Sequence, residues 1–383
     1  MNSIGEHIKR LRLSRGWSQD ELVERMGGIV TKQAVSKYEN GQSQPSAPVV
    51  MALARAFDVR SSLLTEEAPA RVELIAYRKQ SALKARDRDQ VENLVRSALQ
   101  DRVMLQEILE LEIPLVPVEA FEVSTLEEVE TAAEELREQW NLGEDALCSL
   151  IGVLEAHGVH VIEVEASEKF DGLSAIAYGK DGGLVAAAVV TRKGVPGERQ
   201  RLSIAHELGH LVLRLLDGLD AEKAAYRFAG AFLAVAEVVR RVVGVVRHSV
   251  LLAELLMFKR EWGMSIQAIL RRLLDLGIIG PDLYKAWCIR ISSSGMRKQE
   301  PEPQEPEVST WLRRTSLRAM AEGLISSREA SRILGETIEA EGLSPHQIKH
   351  RAFMKLPREE RDRILAEQAA AASPTRTPRP RLA

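Results

Sequence analysis

The sequence predicts a mainly α-helical protein with one small β-sheet, an α+β architecture spread over several domains. Its 383 residues are too many for one ordinary domain of about 100 to 200 residues. Apolar residues recur at helical spacing through much of the chain. Residues 159–164, 173–178 and 184–190 are instead short apolar runs separated by Gly-Asp turns, which predicts three strands.

Composition excludes several classes of protein. Hydrophobic residues make up 45% of the chain and charged residues 28%, which is ordinary for a globular protein. Cys148 and Cys288 lie far apart in the sequence, which predicts two separate reduced thiols in an intracellular protein rather than a disulfide scaffold. The longest apolar run is much shorter than the about 20 residues of a membrane span. We therefore expect a cytoplasmic protein with no membrane contact, and the net charge of -3 restricts any DNA contact to a local surface.

The first 65 residues contain apolar spacing and caps typical of several short helices. Ser18-Gln19-Asp20-Glu21 has the form of a capping box, and Thr31 is placed to cap a helix over residues 32–39. A helix pair with small polar and basic side chains at the start of its second helix can contact bases in the major groove. The alternative is a helical bundle that contacts proteins.

This segment resembles the Xre/Cro-repressor helix-turn-helix family over about residues 1–65. The resemblance depends on Gln19, Ser36, Tyr38-Glu39-Asn40-Gly41, Pro45-Ser46 and residues 53–57. It implies a double-stranded DNA operator, a homodimer, and phosphate contacts from Gln19 and Asn40. The side chains that it implies face the bases are Lys32, Gln33, Ser36 and Lys37.

His206-Glu207-Leu208-Gly209-His210 is the strongest chemical signal in the chain. Histidines at i and i+4 lie on one helix face and can hold one Zn²⁺, with Glu207 beside the metal as a general base toward water. The apolar flanks predict a buried helix, in which two histidines need partners. The alternative is that backbone or acidic groups satisfy both histidines.

A third ligand is predicted at Glu222, which opens the next helix. Ala225 and Ala229 would let that helix pack closely on the motif helix. Asp217 and Asp220, in the preceding turn, remain alternatives. We expect one Zn²⁺ per chain, although a set of two histidines and one glutamate also suits Mn²⁺ or Co²⁺.

Residues 194–213 and the Glu222 helix resemble the ImmA/IrrE family of zinc metallopeptidases, over about residues 130–295. The resemblance implies a zinc-dependent endopeptidase that cleaves a partner repressor or antitoxin and so derepresses stress or mobile-element genes. The zinc ligands that it implies are His206, His210 and Glu222, with Glu207 as the general base.

The sequence departs from this family at two places. Tyr226 stands where relatives often have Asn, Asp or His; Tyr226 and His248 are our candidates for orienting a ligand or stabilising an oxyanion. Ala234-Val235-Ala236 replaces a Met-Pro or similar step that commonly ends this helix, which leaves the helix able to continue through residues 238–246. These departures leave open an alternative function, a non-catalytic DNA-binding repressor or antitoxin whose zincin-like domain serves sensing or dimerisation.

Charge shifts and proline content predict the domain boundaries. Residues 103–145 carry thirteen acidic residues and one basic residue, and residues 301–307 read Pro-Glu-Pro-Gln-Glu-Pro-Glu. The C-terminal helices are typical of a docking or dimerisation element, with a second DNA-binding unit as the alternative. The predicted parts are a helix-turn-helix domain (1–68), a helical, partly acidic connector (69–129), a zincin-like metallopeptidase domain (130–299), a Pro/Glu linker (300–309), a C-terminal helical element (310–365) and a disordered tail (366–383).

Overall fold

The computed structural model describes residues 4–65, 68–75, 84–216, 218–339, 353–354 and 356–372. The chain divides into two compact units, Met1–Trp311 and Leu312–Ala383. The predicted fold class, mainly α with a small sheet, is confirmed. Within the described residues, no helix is both long enough and apolar enough to cross a membrane.

Five short helices form the N-terminal part: α1 (Ile4–Ser14), α2 (Gln19–Arg25), α3 (Lys32–Glu39), α4 (Ala47–Ala56) and α5 (Ser62–Thr65). The predicted capping box forms, because Ser18 Oγ accepts from the Glu21 amide while the Glu21 carboxylate accepts from the Ser18 amide. Thr31 caps α3 as predicted. The helices enclose a core that includes Ile8, Leu22, Val35, Leu53 and Phe57.

A buried ion pair joins three of these helices. Arg12 Nε donates to Glu39 Oε1 at 2.6 Å, and Arg12 Nη2 donates to Glu39 Oε2 at 2.9 Å. Gln19 Nε2 donates to the same carboxylate at 2.8 Å. Because a paired buried charge needs both partners, this contact fixes α3 relative to α1 and α2.

The central sheet has the strand order β1-β4-β5-β3. Its strands are β1 (Arg71–Ile75), β3 (Val159–Val164), β4 (Gly172–Tyr178) and β5 (Leu184–Arg192); β3 and β5 are parallel and the other pairs antiparallel. The three predicted strands are confirmed, while β1 was not predicted. A second sheet pairs β2 (Phe121–Val123) with β6 (Leu213–Leu215) in parallel.

The central sheet is covered by helices on both faces. Side chains such as Ile162, Ala175 and Val190 pack on α6 (Ala85–Ile108), whereas Val161 and Val189 belong to a larger core on the opposite face. That opposite layer contains α7 (Leu126–Gln139), α8 (Leu150–Ala156), α9 (Gly197–Val212), α10 (Ala221–Leu233), α11 (Ala236–Val243), α12 (Leu252–Trp262), α13 (Ile266–Asp275) and α14 (Pro281–Ser293). The predicted boundary between residues 129 and 130 falls inside α7.

The continuation of one helix through residues 238–246, which the sequence left possible, does not occur. Helix α10 ends at Leu233, and Ala234 is extended, with φ -139° and ψ 92°. The carbonyl of Ala234 accepts a hydrogen bond from Arg272 Nε at 2.9 Å, so its partner lies on another helix rather than one turn ahead. The chain then starts a separate helix at Ala236 and turns again at Gly244.

Residues 300–309, predicted to be a linker, lie against the helical layer. The Glu307 carboxylate accepts from the amides of Leu150 and Ile151, at 3.0 and 2.9 Å, and pairs with Arg201. Glu300 Oε2 accepts from Lys259 Nζ and from the Ile266 amide, both at 2.9 Å. The segment therefore connects α8, α9, α12 and α13 through its acidic side chains.

The described part of the second unit is helical. Helix α15 (Trp311–Ala321) begins at the end of the first unit, and α16 (Ser327–Leu334) and α17 (Arg358–Ala372) follow. Ser326 caps α16, as its Oγ accepts from the Glu329 amide. Residues 366–372, predicted to belong to a disordered tail, lie in α17, and residues 373–383 lie outside the described residues.

We predict that Glu39→Gln lowers the free energy of opening of α1 and α3 by about 3 kcal/mol, because it leaves the buried Arg12 without its counterion. The matched control is Asp20→Asn, which breaks the exposed Lys32–Asp20 pair and should cost less than about 1 kcal/mol. Amide hydrogen exchange of the α1 and α3 peptides in the full chain measures both effects. Equal losses in the two variants would contradict the structural role of Glu39.

Candidate metal centre

Helix α9 carries the two histidines and the glutamate of the central motif. His206 and His210 lie one turn apart on the face that borders a cleft, and Glu207 points toward strand β4. His206 and Glu207 are 8% and 6% exposed, so both polar side chains sit inside the protein yet reach the cleft. The predicted burial of this helix is therefore observed.

Helix α10 approaches α9 closely at Gly209. A Cβ atom at residue 209 would lie 3.1 Å from the Phe228 ring and 3.3 Å from the Ala225 Cα, which is tighter than ordinary van der Waals contact. Glycine on one helix and alanine on the other allow this approach. Glu222, in the first turn of α10, is consequently brought over the histidines.

Three ligand atoms converge at this point. His206 Nε2 lies 3.1 Å from His210 Nε2 and 3.4 Å from Glu222 Oε2, while His210 Nε2 lies 3.7 Å from Glu222 Oε1. Ligands about 2.0 to 2.1 Å from a tetrahedral zinc would be about 3.3 Å apart. The donor set and its spacing fit a divalent metal with one position open.

The two alternative ligands are not part of this cluster. Asp220 Oδ1 accepts from the Lys223 amide at 3.0 Å and so caps α10. Asp217 lies outside the described residues. Among the described residues, His206, His210 and Glu222 are the group of donors close enough to share one ion.

The electrostatics of His206 favour a neutral ligand. Burial, followed by the charge of His210, lowers the pKa of His206 to about 3. A neutral imidazole protonated on Nδ1 offers a lone pair on Nε2. In that tautomer the Nε2 atoms of His206 and His210, 3.1 Å apart, present two lone pairs to each other, which is unfavourable unless a cation lies between them. A cation between them removes this repulsion, whereas protonation of His206 does not occur near neutral pH.

Strand β4 holds Glu207 in place. Ser174 Oγ lies 2.8 Å from Glu207 Oε2 and 2.9 Å from the Glu207 carbonyl oxygen, and Ser174 is fully buried. A Cβ atom at Gly172 would lie 2.7 Å from Glu207 Oε1, so only glycine leaves room for this carboxylate. Burial raises the pKa of Glu207 to about 8, against the hydrogen bond from Ser174. A bound cation acts in the opposite direction and favours the carboxylate.

Of the two candidates for orienting a ligand or stabilising an oxyanion, Tyr226 borders the cleft and His248 does not. The Tyr226 ring lies against the His206 ring, with centroids 4.2 Å apart, and its side chain borders the cleft. His206 Nδ1 is buried and has no hydrogen-bond partner among the described residues, so Tyr226 contacts this imidazole through ring packing alone. His248 is exposed in the loop after α11 and does not line the cleft, so it is not placed to stabilise an oxyanion there.

The cleft beside the donors has a volume of about 750 Å³. Its walls are one face each of α9, α10 and α13, and its polar lining is rich in arginine. This size lies within the about 300 to 1,000 Å³ range of ligand sites. The site is therefore open to a substrate larger than water.

The six residues predicted to contact DNA lie on α2, on α3 and directly after α3. Lys32, Gln33, Lys37 and Asn40 are exposed, and Ser36 is half-buried. Gln19 is half-buried and its amide nitrogen donates to Glu39, so one end of this side chain is already engaged. The structure adds Ser174 and Gly172 to the surroundings of Glu207. No spacing in the sequence points to either residue, because both act across the interface between the sheet and α9.

Two family models match the chain. One, described as Helix-turn-helix, matches residues 8–64, and the other, described as IrrE N-terminal-like domain, matches residues 155–274. The chain combines a helix-turn-helix domain with an IrrE-like domain. Both family resemblances inferred from the motifs are thereby confirmed.

One curated relative is the SPbeta prophage-derived uncharacterized HTH-type transcriptional regulator YonR of Bacillus subtilis (strain 168). It is 30% identical over 71 residues, which cover 18% of this chain and 64% of that relative. The match therefore spans less than two thirds of the relative's own length. No solved structure matches the chain.

We predict that the purified protein binds about one zinc per chain and that His206→Ala and Glu222→Ala each weaken zinc binding by more than about 100-fold. Loss of a group that only orients a ligand already costs about 10- to 100-fold, so loss of a ligand should cost more. Asp220→Ala is the matched control and should retain zinc, because this carboxylate caps α10. Elemental analysis in the presence of competing chelators measures the zinc content and affinity of the wild type and the three variants. Full zinc affinity in Glu222→Ala would exclude Glu222 as a ligand.

Proposed function

We propose that this protein is a DNA-binding transcriptional regulator whose IrrE-like domain is a zinc-dependent endopeptidase. Its substrate is a partner repressor or antitoxin, whose cleavage derepresses stress or mobile-element genes. The observation that carries the proposal is the convergence of His206, His210 and Glu222 at the wall of an open cleft, next to the buried Glu207.

The proposed chemistry divides between the metal and the chain. His206, His210 and Glu222 would hold Zn²⁺, which supplies a Lewis acid and lowers the pKa of water toward neutrality. The Glu207 carboxylate takes a proton from the attacking water and delivers it to the leaving amine. Ser174 holds one carboxylate oxygen of Glu207 at 2.8 Å, which leaves the other oxygen for the proton transfer.

Tyr226 is a further polar residue of the cleft and lies against His206. Its ring is packed on His206 and its side chain is 53% exposed, so the hydroxyl can reach a substrate in the cleft. A hydroxyl donor near the developing oxyanion would stabilise the transition state of amide hydrolysis. We propose this role for Tyr226.

The helix-turn-helix domain supplies the proposed DNA contacts. Gln33 and Lys37 are exposed on α3, and Asn40 follows at its C-terminal end. Gln and Asn side chains can pair with adenine edges, whereas lysine contacts guanine or phosphate. We propose binding to a double-stranded operator as a homodimer, which matches the two-fold symmetry of such operators.

We predict that Glu207→Gln reduces peptide-bond cleavage by at least about 100-fold, because it removes the general base. Zinc content and operator binding should be unchanged, since the glutamine keeps the shape of the side chain. New protein N-termini in cells expressing the wild type, compared with cells expressing Glu207→Gln, would identify the substrate. The matched control is Glu237→Gln, on the exposed face of α11.

The same comparison separates the two candidate functions. N-termini that appear with wild type and with Glu237→Gln, but not with Glu207→Gln, support the endopeptidase. Identical N-termini in all three strains, with zinc bound, would contradict it and favour a non-catalytic sensor or dimerisation domain.

We predict different effects for two substitutions on α3. Gln33→Ala should relax base preference at one operator position and cost about 1 to 3 kcal/mol, because it removes a base contact. Lys37→Ala should also relax base preference at its own operator position and, because it removes a cation from the DNA-facing side of α3, should lower the salt dependence by about one counterion. An operator selected from random duplexes, titrated at several salt concentrations, tests both. Lys193→Ala, an exposed lysine after β5, is the control, and an equal effect there would contradict the assignment to α3.

A further inference from the structure

The cleft beside the metal centre carries an excess of positive charge. Four carboxylates line it: Glu207 and Glu222, which belong to the metal centre, and Asp171 and Asp275. Glu130 is not part of the lining but pairs with Arg227 and Arg272. The cations of the lining are Arg199, Lys223, Arg227, Arg271 and Arg272. Outside the metal centre, five cations therefore stand against the lining carboxylates Asp171 and Asp275 and the paired Glu130, although the whole chain has a net charge of -3.

Three of these arginines are held by carboxylates. Arg227 Nε donates to Glu130 Oε2 at 2.7 Å, and Arg272 donates to both oxygens of the same Glu130. Arg271 Nε donates to Asp275 Oδ1 at 2.9 Å. Two carboxylates therefore serve three guanidinium groups, which fixes this wall and leaves it positive.

Arg199 and Lys223 are the cations available to a ligand. Both are exposed, both line the cleft, and neither has an ion pair or hydrogen bond from its side chain within the described residues. They stand on different helices, Arg199 on α9 and Lys223 on α10 beside the Glu222 ligand. A chain lying in the cleft would pass between the two helices that carry these charges.

The position of Arg199 sets a distance along a bound peptide. It precedes His206 by seven residues on the same face of α9, which is about 10 Å along the helix axis. An extended peptide covers that length in about three residues. A side chain about three positions from the cleaved bond would therefore lie near Arg199.

We propose that the cleft recognises an acidic peptide segment, with Asp or Glu side chains paired to Arg199 and Lys223 within about three residues of the cleaved bond. This inference rests on the proposed function for the position of cleavage, but not for the binding of the peptide. Nucleic acid is the other polyanion that cations attract. The structure favours a peptide, because the charged residues line a concave cleft of about 750 Å³ beside the candidate metal centre rather than a convex surface that a duplex could contact.

Binding and cleavage of defined peptides test the proposal. The probe is a fluorescent peptide library with Asp or Glu flanking a central apolar residue, and the reference is the same library with Asn and Gln at those positions. Binding is measured by anisotropy on full-length, zinc-loaded Glu207→Gln. We expect the acidic library to bind at least about tenfold more tightly at low salt, with an advantage that falls as salt rises.

Charge reversals locate the binding surface. Arg199→Glu and Lys223→Glu should each reduce the preference for the acidic library by about threefold or more, and the double variant should abolish it. Lys298→Glu is the matched control, an exposed lysine after α14 that does not line the cleft, and it should keep the full preference. Hydrogen exchange of α9 and α10 confirms that each variant is folded.

Three results would overturn the proposal: equal binding of the acidic and amide libraries, binding of neither, or loss of duplex DNA affinity in Arg199→Glu/Lys223→Glu with no change in peptide preference. Failure of the proposed endopeptidase gives a different result. Acidic peptides would then bind with the expected charge dependence, and the wild type would leave them intact.

Discussion

The close contact between α9 and α10 at Gly209 is the constraint on which the metal centre depends. Two histidines on one helix supply a pair of ligands, but the third ligand comes from another helix and must arrive within about 3.3 Å of both. The absence of a side chain at Gly209 and the small side chain of Ala225 permit this approach, and Phe228 fills the space beside it. A larger residue at position 209 would move Glu222 away while leaving the motif helix intact. The two histidines could then remain on α9 without a complete set of three ligands.

The opposite end of α9 is fixed by charge. Lys259 is fully buried and donates to Glu198, near the start of α9, and to Glu300 in the segment that follows α14. Glu307 then binds Arg201 and the first amides of α8. Removing one member of such a network leaves a buried charge without a partner, which is more costly than losing an exposed pair. The acidic residues of the proline-rich segment therefore hold the helix that carries the histidines, and the segment belongs to the fold of the first unit.

Local signals in the sequence were sufficient for much of the fold and for the metal donors. Caps such as Ser18 and Thr31 act within one helical turn, and the spacing of His206 and His210 places both on one face whatever surrounds them. The sequence left the end of α10 open because the contact at that end is not local: Arg272, 38 residues away, donates to the Ala234 carbonyl. Ser174 was missed for the same reason, since only the pairing of β4 with its neighbours turns that hydroxyl toward Glu207. Side chains that act across elements distant in sequence need the tertiary structure to be found.

Helix α6 relates the two functional regions of the first unit. Its N-terminal end contacts the helix-turn-helix domain, where Arg86 donates to the Gly16 carbonyl at 2.7 Å, and its later turns pack on the sheet face opposite α9. At 24 residues it is about 36 Å long. A rigid helix of this kind fixes the position of the cleft relative to the DNA-binding face.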